Sequence, residues 1–71
     1  MLVKVETLEI NYRGANVTVT KNNPSEMYIN PEKIISAVPV DLPTNQRLWF
    51  VYIEGMNDTI CIDDNYFHTL I

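Results

Sequence analysis

Residues 47–54 read "RLWFVYIE", and the strand they make decides the fold. Alternation sets Leu48, Phe50, Tyr52 and Glu54 on one side and Trp49, Val51 and Ile53 on the other. Both sides are apolar, whereas a strand at a wet surface alternates apolar with polar residues. Such a strand is either central in its sheet or has its second face against another subunit.

The chain continues outward in β-forming runs separated by turn residues. Downstream, "GMND" (55–58) is a turn into "TICI" (59–62), so residues 47–62 predict a hairpin. Asp63 or Asp64 can then cap a short helical turn over "NYFHTLI" (65–71). Tyr66, Phe67, Leu70 and Ile71 would there close one end of a barrel.

Upstream, "DLPTNQ" (41–46) is a loop and "IISAVPV" (34–40) is a strand. Pro39 cannot donate to a ladder, which marks that strand as an edge or its end. In "YINPEKII" (28–35), Asn30 and Pro31 predict an N-cap and first position of a single helical or 3-10 turn. Residues 27–29 read as a brief strand, and "KNNPSE" (21–26) as a polar loop. At the front, "VKVETLEI" (3–10) and "ANVTVT" (15–20) predict a hairpin turning at Arg13-Gly14, with Val17 and Val19 inward and Asn16, Thr18 and Thr20 wet.

The expectation is one all-β domain over residues 1–71 with minor helical turns. Its five or six short strands would form a small bent antiparallel sheet or an SH3-like barrel. "NPSE" (23–26) and "NPEK" (30–33) are too short a match to be a repeat.

From Met27 on, a short strand leads into "INPEKI", then a strand, a hairpin and a closing "IDDNYFHTLI". Residues 27–71 thereby resemble the FlbD-type small flagellar β-proteins and similar short bacterial or phage β-proteins. The loop "VDLPTNQ" (40–46) is longer than that pattern, and the hairpin over residues 3–20 has no counterpart in it. The resemblance implies a compact β fold and brings no catalytic residues.

Composition narrows the function. A chain of 71 residues supports a marginal core without disulfide, metal or partner, and its single cysteine, Cys61, cannot form an internal disulfide. With 46% apolar residues it is richer than a disordered acidic segment, and the surplus suits homodimerisation. Lys4, Glu6 and Glu9 interrupt the N-terminal stretch, which is unlike a signal peptide, and no run reaches the roughly 18 apolar residues of a membrane helix. The expected location is the cytoplasm, where the sequons at Asn16 and Asn57 are chance matches.

Residues 1–47 hold Lys4, Arg13, Lys21, Lys33 and Arg47, balanced by Glu6, Glu9, Glu26, Glu32 and Asp41. Residues 48–71 carry Glu54, Asp58, Asp63 and Asp64 with no Lys or Arg, so the net charge of -4 lies there. That distribution argues against direct nucleic-acid binding, which needs cations against phosphates, and would suit a basic protein partner.

No catalytic, metal or cofactor site is expected. Cys61 lies between Ile60 and Ile62 with no cation after residue 47 to lower its pKa, and lone His68 has no partner residue. Asp63 and Asp64 with Asp58 and Glu54 lack EF-hand spacing, and capping explains them more simply. Gly14 and Gly55, the only glycines, lie in no phosphate-cradling pattern. Trp49, Phe50, Tyr52, Tyr66 and Tyr28 could stack on bases, but their surroundings are acidic, and core packing plus a protein interface accounts for them.

Two functions follow as expectations. The first is a non-enzymatic, self-associating protein–protein interaction or assembly module with Trp49, Val51, Ile53 and Tyr52 at the interface. On that expectation, truncating Trp49 dissociates the oligomer. The second is a phage- or mobile-element-encoded inhibitor that blocks a basic site on a host protein through Glu54, Asp58, Asp63 and Asp64.

Overall fold

The computed structural model describes all 71 residues, mostly as strand. β1 (Val3–Arg13) and β2 (Asn16–Ile29) form a long antiparallel hairpin. A 3-10 turn (Pro31–Lys33) leads into β3 (Ile34–Asp41), which pairs with β4 (Arg47–Ile53) and, through it, β5 (Ile60–Asp63). A single short helix, α1 (Asp64–His68), follows. The hairpin and the three-stranded sheet are separate sheets, with no ladder joining β1 to β5. The domain is all-β with five strands, and no barrel closes.

Local chemistry accounts for the corners. Gly14 takes φ +58 at the first hairpin turn, a conformation that costs a side-chain-bearing residue energy. Asn30 caps the 3-10 turn through Oδ1, which accepts from Glu32 N–H at 3.0 Å, with Pro31 supplying a fixed φ behind it. "NPEK" is a corner. Asp63 caps α1 by accepting from Tyr66 N–H at 2.8 Å. Arg47 grips Asp41 through two hydrogen bonds, at 2.7 and 3.2 Å, where β3 and β4 converge on their turn. Pro39 lies on β3, an edge strand, where a missing N–H is tolerated.

The expected polar loop at 21–26 and separate strand at 27–29 are instead parts of one continuous strand, β2. Its residues 22–25 have no ladder partners and bulge opposite Thr7 of β1. Asn22 Nδ2 donates to the Thr7 hydroxyl at 3.2 Å, and that hydroxyl donates to the Ser25 carbonyl, also at 3.2 Å. Thr7, the one buried polar residue, is thus fully satisfied.

The bulge changes the parity of the strand. Val3 and Val5 point inward before it, and Leu8 and Ile10 after it. The hairpin can therefore clasp the β3–β4–β5 sheet past β5. Its base packs Val5 and Ile29 with Val51, Ile53, Ile60, Ile62, Phe67 and Leu70 as the main core. Its outer half lays Leu8, Ile10, Val17 and Val19 against Leu42, Leu48 and Cys61 on the sheet's other side. The alternation in β5 divides its residues accordingly, Ile60 and Ile62 to one cluster and Cys61 to the other.

Candidate interaction surface

The two sides of β4 have different fates. Val51 is fully buried and Ile53 is 8% exposed, both within the main core. Trp49 is half-buried, its ring stacked on Phe67 with centroids 3.9 Å apart and planes 11° from parallel. Its indole N–H donates to Asp64 Oδ1 at 2.9 Å. The face expected to be an interface is thus the core side. α1 and the hairpin base already cover it, and this intramolecular cover satisfies the need for two apolar faces. Of the four expected interface residues, only Tyr52 is exposed, and it lies on the opposite side of the strand.

That opposite side is where apolar surface remains. The register sets Val38 opposite Phe50 and Phe50 opposite Cys61, so the three form a row across the sheet. Cys61 is buried, Phe50 half-buried and Val38 exposed, with exposed Tyr52 two residues along from Phe50. Between this side and β1 runs an open groove of about 610 Å³. Leu8, Ile10, Phe50, Met56 and Cys61 supply much of its apolar lining, with Asp58 and Glu9 at its polar parts. Neither of those two carboxylates has an ion-pair or hydrogen-bonded partner.

The four carboxylates expected to form one acidic surface are mostly committed elsewhere. Glu54 faces Lys33 at 3.9 Å, Asp63 caps α1, and Asp64 accepts from Trp49 and lies 3.3 Å from His68 Nε2. Asp58 alone is uncommitted. Among the cations, Lys4, Lys21, Lys33 and Arg47 each face a carboxylate, which leaves Arg13 at the hairpin tip as the one without a partner.

Compared with known protein families, curated proteins and solved structures, the chain matches none of them. Its surface must therefore be read from its own chemistry. The Cys61 thiol is pushed up from its ordinary pKa by burial, which disfavours the thiolate a nucleophile needs. His68 is exposed beside Asp64, its ring edge-on to Phe67. No three His, Cys, Asp or Glu side chains converge as a metal site would require. The groove residues Leu8, Ile10 and Met56 drew no notice in the sequence. Leu8 and Ile10 belong to "VKVETLEI" (3–10), whose strand-like pattern does not say what covers it, and Met56 lies in the turn "GMND" (55–58).

Proposed function

We propose that the chain is a non-enzymatic protein–protein interaction or assembly module that self-associates in the cytoplasm. The observation that carries this reading is the incompletely covered second side of the sheet. Val38 and Tyr52 are exposed beside half-buried Phe50, and six partly buried apolar residues surround only three buried ones there. An apolar surface of this kind on so small a chain gains free energy when a protein covers it. The resemblance of residues 27–71 to FlbD-type β-proteins supports a β module and adds no chemistry to it. Cys61, buried and unpaired, suits a reducing compartment.

A second reading is an acidic inhibitor, encoded by a phage or mobile element, that occupies a basic site on a host protein. It is favoured by a net charge of -4 with four of the five cations already neutralised within the chain. Salt separates the two readings, because apolar association persists near 0.5 M salt while a contact between exposed charges is screened. Light scattering across a concentration series, at low and high salt, is the test. A dimer that survives salt supports self-association, and a chain monomeric at every concentration removes it.

A further inference from the structure

The two sheets end in four strand edges, and three of them are blunted. β2 carries Pro24 within its unladdered residues 22–25, β3 carries Pro39, and β5 is only four residues long. Proline, bulges and shortness all keep an edge from pairing with a foreign chain. β1 runs for eleven residues with no proline or glycine, and from Leu8 to Tyr12 its one charge is Glu9.

The hairpin turn decides which backbone groups of β1 are free. Arg13 and Asn16 flank a two-residue turn, so they form a hydrogen-bonded pair, and every second pair back from it does the same. Asn11 and Glu9 therefore direct N–H and C=O to β2, whereas Tyr12 and Ile10 direct theirs away from it. Outside the ladders, the backbone of residues 7–12 receives one hydrogen bond, from Asn22 Nδ2 to the Leu8 carbonyl at 3.5 Å.

Those free groups face the groove. β1, and not β2, is the hairpin strand beside β5, whose second edge is also unpaired. The groove is lined by consecutive residues, 7–10 on one wall and 58–61 on the other. A sheet face would contribute alternate residues, so unbroken runs mark strand edges. An extended chain laid along β1 has two unlike sides there. One lies beside Leu8 and Ile10, toward Phe50 and Met56, and the other beside Glu9 on the polar face of the hairpin. Glu9 and Asp58, the groove's carboxylates, face no cation. A second copy of this chain has little to offer them, because four of its five cations already face carboxylates of their own.

We propose that the free edge of β1, over Leu8–Tyr12, takes an extended segment of a different protein as an added strand, one in which apolar residues alternate with Lys or Arg. Main-chain hydrogen bonds to Ile10 and Tyr12 hold it, its apolar side chains pack beside Ile10 over Phe50, and its cations meet Glu9 and Asp58. This assignment rests on the interaction-module reading but not on self-association.

The probe is the capped pentapeptide Val-Lys-Val-Lys-Val, with Val-Glu-Val-Glu-Val as its charge-reversed control. Each is added to about 2 mM to isotope-labelled protein at low salt, and amide exchange and chemical shifts are followed by NMR. The basic peptide is expected to slow exchange at the Ile10 and Tyr12 amides and to shift Phe50 and Met56, and the acidic one to bind at least tenfold more weakly. Tyr12 is 66% exposed, so its variants keep the core intact. Tyr12→Pro, which removes an outward N–H, should weaken binding about fivefold, and Tyr12→Thr, which keeps it, less than twofold. Absence of binding at 2 mM, binding with no slowing at Ile10 and Tyr12, or equal losses in the two variants each overturns the added strand. Slow exchange at those amides that rises with protein concentration and needs no peptide makes a second copy the occupant and overturns the foreign segment. Peptide binding by a chain that light scattering shows to be monomeric supports this assignment while removing self-association.

Discussion

Replacing Trp49 with alanine is expected to destabilise the fold of the single chain and not to act through a contact between copies. The side chain is half-buried against the main core, so truncation forfeits roughly half the cost of removing a fully buried Trp, about 2 kcal/mol. Loss of the face-on stack with Phe67 at 3.9 Å adds about 0.5–1 kcal/mol. The indole N–H bond to Asp64, at a partly wet site, contributes about 0.5 kcal/mol more. The loss is near 3 kcal/mol, while a chain of this length holds roughly 4–10 kcal/mol in all. Urea denaturation followed by far-ultraviolet circular dichroism measures it without relying on the lost fluorophore. The midpoint should fall by about a third to three-quarters at little change in slope. Trp49→Phe retains the stack and loses the hydrogen bond, and should cost about 1 kcal/mol. If Trp49→Ala lost less than 1 kcal/mol while halving the solution mass, the intramolecular role derived for this face would be wrong.

Two further outcomes follow from ionisation. The Arg47 guanidinium, hydrogen-bonded to Asp41, holds that carboxyl below its usual pKa. Its contribution is therefore present above about pH 4 and lost as pH falls through the depressed value. The pair is exposed, so the effect is small. It should appear as a difference in Tm between wild type and Asp41→Asn at pH 5–6 that narrows toward pH 2. Burial raises the Cys61 thiol, so its share of stability is full below about pH 8.5 and declines as pH rises beyond that. Native protein should react with a thiol reagent far more slowly than urea-unfolded protein, and Cys61→Ala should flatten the alkaline loss of Tm. Equal thiol reactivity in the folded and unfolded states would contradict the burial.

What could be read from residue order was whatever nearby residues decide. The Asn30-Pro31 corner, Pro39 on an edge strand, the Asp63 cap and the central place of "RLWFVYIE" all follow from local backbone chemistry and period-2 alternation. Which side of that strand stays uncovered does not. It depends on Phe67 reaching back to stack on Trp49, and on Thr7 shifting the parity of β1 so that the hairpin serves both sides of the sheet. Residues 21–26 read as a loop because Asn and Pro are poor ladder partners, yet Lys21 and Glu26 at its ends pair with Leu8 and Glu6. Residues 22–25 between them have no ladder partner, and the pairing resumes on either side. Asp64, which the sequence offers as a cap or as part of an acidic partner surface, is the acceptor for the indole, a contact over 15 residues that no local pattern encodes.

The clasp past β5 also orders events in time. The β1–β2 hairpin is local and can close within microseconds, but Val5 finds Ile60 and Ile62 only after nearly the whole length of chain has collapsed. A hairpin that closes early in this way gains its core late. In the interval it is a ribbon with apolar residues facing water and an unpaired edge along β1, the state in which small β-proteins meet the wrong neighbour. Glu9, Arg13 and Lys21, spaced along that ribbon, are well placed to keep such encounters brief until β5 and its helix arrive.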